Sequence, residues 1–354
     1  MIELTAPAFS NDRMMAEIDK SVLAIYELCG ANQEETLVFT SCEAEAVAQV
    51  FYSALSEDIL KSGKNHILVG SLERSSQLLM AAKLEDFGCM TEIVPVNSEG
   101  MITADILNLF VTPKTALFSI SLAAPLIGTL MPIKQIAEYC KKHHILLHVS
   151  VTGALGRVFF RLADLPIDFI TFEGSSIGGP ITTGVLIAKK KPAPLIPNST
   201  NLNPFRGGSF DPSMFIELGR KARELLAEAD HQNFHLVSLA TKLQKELPFE
   251  CLLAEREKLP GTLVFSLGTV HAELMLFHLK QHGIFPSIGG GDLQKLENIL
   301  VKCGYDIIIA KSAIAFNLEP TEQMSDIAQI VATIKEIHAK LSKISSCLEF
   351  DEDV

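Results

Sequence analysis

Through its first half the chain alternates short runs that are apolar along most of their length with longer stretches of helical periodicity. This alternation constrains the fold more than any other feature. The runs are Thr36–Thr40, His66–Gly70, Thr91–Val94, Thr115–Ser121, Ile145–Val149, Asp168–Phe172 and Gly184–Ala188. A strand covered by helices on both faces needs such a run, whereas a strand with one wet face alternates polar and apolar residues. Amphipathic stretches such as Arg74–Phe87 and Ile133–Lys142 lie between many of the runs. The pattern predicts an α/β protein with a mainly parallel sheet sandwiched by helices.

A Pro- and Asn-rich segment, Pro192–Pro204, breaks the alternation, and a long helix from about Pro212 to Leu247 follows it. The boundary of the large domain is placed near Pro248. Beyond it the chain reads as strand (Gly261–Leu267), helix (Ala272–His282), glycine turn (Gly289–Gly291), helix (Leu293–Cys303) and strand (Asp306–Ala310). A last helix runs from about Thr321 to Ile344, with Pro320 just ahead of it. The expected organisation is a large α/β domain over 10–247, a smaller α+β domain over 248–345 together with the N-terminal segment 1–9, and an acidic tail over 346–354.

The chain has 354 residues, of which 48% are hydrophobic, so it can bury a large core. A net charge of −12 argues against nucleic acid as a partner, because phosphate binding needs clustered Lys and Arg. The short cluster Lys189, Lys190 and Lys191 reads as a solvated loop. Seven scattered cysteines without CxxC spacing fit a reducing cytosol and give neither a disulfide framework nor a zinc site. The start, MIELTAPAFSND, lacks a basic segment followed by an apolar one, so no signal peptide is expected. The uncharged stretch between Lys114 and Lys134 contains Pro125, Gly128 and Pro132, and reads as a strand and loop instead of a membrane span. The expectation is a cytoplasmic protein with neither nucleic acid nor membrane as partner.

Several strings, in their order and spacing, carry a family resemblance. They are VFTS (38–41), HILVGSLE (66–73), VPVNSEG (94–100), TALFSIS (115–121), IGT then MPI (127–133), HVSVTGALGR (148–157), PIDFITFEGSSIGGP (166–180), RGGS (206–209) and KSAIAF (311–316). Over most of its length the chain resembles the cysteine desulfurase branch of the class-V aminotransferases, fold-type I pyridoxal-phosphate enzymes. The resemblance implies that fold, a homodimer, and a set of chemical groups. These are a lysine for the Schiff base, a carboxylate at the pyridine nitrogen, a phosphate cradle at a helix N-terminus, a mobile cysteine and a carboxylate-binding arginine.

At the positions this resemblance assigns, the expected groups are missing. The lysine position holds Ser176, after Ser175, and a hydroxyl cannot form an imine. The pyridine-pairing aspartate position is Ser150, the glutamine three residues on is Gly153, and the ring-stacking histidine is Arg74, after Glu73. The phosphate turn reads Cys42, Glu43, Ala44, so a carboxyl group lies where a dianion should dock; the two repel by several kcal/mol unless Glu43 points to solvent. The mobile-loop cysteine falls at Asp292, the arginine at Ala315 and the second loop asparagine at Pro125. Ser209 is the one surviving hydroxyl of the phosphate site.

Other candidates weigh towards structure. Ser175 and Ser176 as a nucleophile or anion nest have no neighbouring His or Asp in sequence, and a plain loop is the better reading. His143 and His144 read as a charged helix end before a metal pair. Cys42 is opposed by Glu43 and Glu45 and reads as structural. The Gly289–Asp292 turn reads as a tight connector. The chain is therefore expected to bind no pyridoxal phosphate and no metal, and to act as a non-catalytic homologue binding an active desulfurase subunit or a sulfur-acceptor protein. Two alternatives stand beside this: an active desulfurase or aminotransferase using another lysine, and a pocket repurposed for another small ligand.

Overall fold

A computed structural model describes residues 12–197, 205–208 and 211–348. Ser209, the segment 1–9 and residues 349–354 of the tail lie outside the described residues. In chain order the elements are α1 (Asp12–Cys29), β1 (Thr36–Thr40), α2 (Glu43–Ser53), α3 (Leu60–Ser62), β2 (His66–Gly70), α4 (Ser75–Glu85), β3 (Met90–Val94), α5 (Ala104–Phe110), β4 (Thr115–Ser121), α6 (Ile133–Lys142), β5 (Leu146–Ser150), β6 (Phe169–Glu173) and β7 (Gly184–Ala188). A π-helical turn, Ala54–Ile59, joins α2 to α3. The second half adds α7 (Pro212–Glu246), β8 (Glu250–Leu252), β9 (Thr262–Ser266), α8 (Ala272–Gln281), α9 (Leu296–Lys302), α10 (Ile307–Lys311), β10 (Ala313–Asn317) and α11 (Met324–Leu348).

Seven strands form one sheet in the order β1-β7-β6-β5-β4-β2-β3. Strand β7 runs antiparallel to β1 and β6, and the other pairs are parallel. The apolar runs are explained by this order: β2, β4, β5 and β7 are buried at every position, while the edge strand β3 is mostly exposed. One face packs with α1, α6 and α7 around Ile25, Phe118, Ile136 and Leu218. The other packs against α2 and α4 around Phe51, Ile67 and Leu84. The 35-residue α7, about 52 Å long at 1.5 Å per residue, leaves this sheet and joins the core of the antiparallel sheet β10-β9-β8 through Leu236, Leu239 and Leu243.

One expected element is corrected. The stretch read as a strand at Asp306–Ala310 is the helix α10, and the strand follows at β10. A run of four apolar residues does not separate the two states; Asp306 does, by accepting a hydrogen bond from the Ile308 N–H at 2.8 Å as an N-cap.

Candidate functional site

The carboxyl ends of parallel strands are where open α/β sheets place ligands. Here those ends carry polar side chains in otherwise apolar strands: Ser119 and Ser121 on β4, His148 and Ser150 on β5, Thr171 and Glu173 on β6. Two further acids enter from helix starts, Glu43 at the head of α2 and Glu73 just before α4. Gly184 of β7 allows the α2 turn to approach, since a Cβ there would lie 2.3 Å from the Cys42 carbonyl carbon.

Glu43 points inward and is 4% exposed. Its Oε1 accepts from Ser150 Oγ at 2.5 Å and from Thr171 Oγ1 at 3.1 Å. The bonds continue through His148, with Nε2 2.9 Å from Thr171 Oγ1 and Nδ1 2.8 Å from Ser119 Oγ; Ser119 Oγ in turn accepts from Gln77 Nε2 at 3.1 Å. Because the Thr171 hydroxyl donates to Glu43, it accepts from His148, so the network assigns the neutral Nε2–H tautomer. Burial agrees with a neutral ring, lowering the His148 pKa to about 3. Every member from Gln77 to Ser150 is buried.

A second acid lies beside this network. Glu73 is 1% exposed, and burial raises its pKa to about 7, against hydrogen bonds from Ser121 and Gln77; the Glu43 charge pushes the same way as burial. At the head of α2 the Glu43 N–H donates to Glu173 Oε2 at 2.8 Å, and the Ser41 N–H donates to Glu45 Oε2 at 2.8 Å. Burial pushes Glu173 up, and the Glu43 N–H opposes it. For Glu45 burial is the largest single influence, but the bonds from Arg206 (Nε to Oε1, 2.7 Å) and Ser41 together hold its pKa below the usual range. Helix-start N–H groups are ordinary anion sites; here that of Glu43, and the Ser41 N–H ahead of the N-cap, are taken by the chain's own carboxyl groups.

The remaining assigned positions divide into those near this cluster and those apart from it. Arg74 is the half-buried N-cap residue of α4 and draws the Glu173 pKa down. Asp292 is exposed; its carbonyl accepts from the Ser75 N–H at 3.0 Å and its Oδ1 from Ser75 Oγ at 3.4 Å. Ser175 is exposed in the 3-10 turn Gly174–Ile177, where Ser176 Oγ donates to the Glu173 carbonyl at 2.6 Å. Cys42 is the half-buried N-cap of α2 without a side-chain cap bond. Gly153 lies half-buried in the turn after β5, and Pro125 in the loop after β4, where Arg256 donates to the Ile127 carbonyl and Thr129 Oγ1. Ala44 faces outward on α2, and Ala315 is enclosed in β10, its N–H and carbonyl bonded to Ser287 at 2.9 and 2.8 Å.

A clasp that the sequence did not disclose ties the glycine turn to the large sheet. Gln294 Nε2 donates to the carbonyls of Ser71 (2.8 Å) and Glu73 (3.0 Å), and Lys302 Nζ donates to the Ser71 carbonyl at 2.8 Å and to Gln294 Oε1 at 2.5 Å. Gly289, at φ +80°, lets the turn fold back against the Gln294 backbone, where a Cβ would lie 2.1 Å from the Gln294 carbonyl oxygen. Among the described residues no helix is long and apolar enough to cross a membrane, and no cluster of His, Cys, Asp and Glu could hold a metal ion.

The family model for aminotransferase class-V matches residues 10–291. The mitochondrial cysteine desulfurase of Eremothecium gossypii is 24% identical over 351 residues, covering 95% of this chain and 70% of the relative. A cysteine desulfurase of Bradyrhizobium diazoefficiens is 25% identical, covering 95% and 87%. Among solved structures, a NifS-like protein superposes with a TM-score of 0.85 at 23% identity, covering 93% of this chain and 89% of that one. A NifS-like protein from Rickettsia africae gives 0.81 at 21% identity, covering 94% and 91%. The fold is fold-type I.

These matches overturn the expectation, drawn from Ser176 and its neighbours, that no cofactor belongs to this chain: the family it matches is one of pyridoxal-phosphate enzymes. The mismatched positions describe how individual side chains would meet a cofactor, and they do not exclude one. At the positions the resemblance assigns, the groups expected to hold it are not in place. Ser176 has no amine, Glu173 takes the Glu43 N–H at the head of α2, and Glu45 takes the Ser41 N–H just ahead of it. With a family model spanning most of its length and cysteine desulfurases among its relatives, the chain belongs to the class-V aminotransferase family as a cysteine desulfurase-like member.

Proposed function

We propose that this chain does not desulfurate cysteine and serves as a non-catalytic binding homologue of the desulfurases. One observation carries the reading. The turn to which the family resemblance assigns the nucleophilic thiol ends in Asp292, whose carbonyl accepts from the Ser75 N–H, and Gln294 and Lys302 clasp the following segment to the large sheet. A carboxylate cannot accept sulfur from a bound cysteine as a thiolate does, and a clasped turn does not deliver a group to a distant atom. The expected partners are a second copy of the chain and an active desulfurase subunit or a sulfur-acceptor protein. The six free cysteines among the described residues suit a reducing compartment such as the cytoplasm. Sedimentation velocity of the chain mixed with an active cysteine desulfurase from the same cell tests the partnership. A mixed species supports it, and two components that sediment independently refute it.

A second reading, an active enzyme with its amine supplied from elsewhere, is favoured by the relatives being desulfurases and by Lys302. That amine reaches the Ser71 carbonyl beside the cluster, and burial lowers its pKa. Under this reading the chain releases sulfide from cysteine, and Lys302→Ala abolishes the release.

A further inference from the structure

At the end of the large sheet remote from the candidate site lies a cleft of about 560 Å³. Its walls carry Lys64, Lys141, His144, Lys189 and Lys190, against two acids, Asp58 and Asp168. The floor is apolar, formed by Ile145, Leu146 and Ile167. Lysines 189 and 190 belong to the cluster that the sequence alone gives as a solvated loop. Their neighbours come from distant segments: Lys64 precedes β2, Lys141 and His144 end α6, and the two lysines follow β7. In a chain of net charge −12, four lysines around one cleft are a local excess of positive charge.

The cations at the end of α6 have an ordinary explanation, since positive groups favour helix C-termini. That explanation does not extend to Lys64, Lys189 or Lys190, which lie on loops and a strand end. Several of these groups are held in place. Lys64 Nζ donates to the His144 carbonyl at 3.1 Å, in a residue with φ +53°, and Lys189 Nζ donates to the Leu165 carbonyl. Asp168 accepts from the Leu147 N–H at 2.9 Å, so one of its oxygens is turned to the backbone. Among the described residues only Lys190 meets a carboxylate of the cleft as an ion pair, Asp58 at 3.9 Å. Lysines held by neutral carbonyls lose little further side-chain freedom when an anion arrives.

We propose that this cleft binds a small molecule carrying a diphosphate group, with the lysines on its walls taking the charge and the apolar floor taking the rest of the molecule. Calorimetric titration of the full chain with inorganic pyrophosphate at low salt tests it. The result expected is saturable binding that weakens as sodium chloride is added. The double variant Lys141→Glu/Lys190→Glu should bind at least about tenfold more weakly with an unchanged melting temperature, while Lys340→Glu on the exposed face of α11 should bind as the parent does. If the reversal variant melts early, Lys141→Met/Lys190→Met gives the same comparison without added negative charge. Absence of saturable binding, unchanged affinity in both cleft variants, or equal loss in Lys340→Glu overturns the proposal. Unchanged affinity would place the anion elsewhere, as at the head of α2.

Discussion

The Glu43 carboxyl group lies 2.5 Å from the Ser150 hydroxyl, both buried and 107 residues apart in sequence. Position 150 is where the family resemblance assigns a carboxylate; here it holds a hydroxyl, and a carboxyl group reaches it from α2. Glu43 bonds Ser150 and Thr171 together across two strand ends, so it acts as a structural strut.

Removing the strut has a predictable cost. Glu43→Ala leaves the Ser150 and Thr171 hydroxyls without their acceptor and should destabilise the chain by about 1–3 kcal/mol. Glu43→Gln keeps an oxygen at the same place and should cost less. Urea denaturation of the two variants checks the order; an alanine variant as stable as the parent would show that the bonds carry no weight.

Glu73 supplies a pH dependence. Its folded pKa, about 7, lies above the ordinary carboxyl value, so the native state holds a proton that the unfolded chain releases. Its contribution to stability is therefore full below about pH 4.5 and is lost as pH rises towards 7, a difference of order 3 kcal/mol. Glu73→Gln should be more stable than the parent at pH 8, with the gap closing below pH 4.5. His148 acts in the opposite sense: its depressed pKa, about 3, costs stability as pH falls from 6.5. These two slopes oppose each other between pH 4.5 and 6.5, and the glutamine variant should differ from the parent by loss of the Glu73 slope while keeping that of His148. Denaturation midpoints across pH measure both.

How much of this was legible follows from how each feature is encoded. Strands β1, β2, β4 and β7 announce themselves as continuous apolar runs, and β3, β5 and β6 are displaced by one residue only at their ends. Helix α10 does not separate from a strand by pattern, because Ile307–Ala310 is too short for periodicity to speak; its N-cap Asp306 is the local sign of a helix. The site is another matter. The absence of an amine at Ser176 is readable from one position, but the direction of Glu43 is not. It depends on Ser150 and Thr171, which meet it only after the sheet assembles. Polar residues inside apolar strands, such as Ser119, His148 and Thr171, were the available sign of a buried network.

The clasp should be separable from the core. Gln294→Ala removes two bonds to main-chain carbonyls of the β2–α4 turn and should cost about 1–2 kcal/mol locally. Hydrogen exchange at Gly289–Leu293 should quicken while β4 and β5 stay protected. Unchanged exchange in the turn would show that Ser75 and Lys302 suffice to hold it.

Restoring the amine alone should not restore chemistry. Ser176→Lys leaves Asp292 on the clasped turn, Ala315 in the core of β10 and Glu43 in the strut. Incubated with pyridoxal phosphate and cysteine, this variant should release no more sulfide than the parent chain. Sulfide release by the single variant would show that the remaining positions do not limit the reaction.

The most direct test is the parent chain itself. Purified protein supplied with pyridoxal phosphate, cysteine and a thiol reductant is assayed for sulfide and alanine over time. The account predicts neither product above the protein-free blank. Equal, time-dependent formation of both in proportion to the protein added would contradict it.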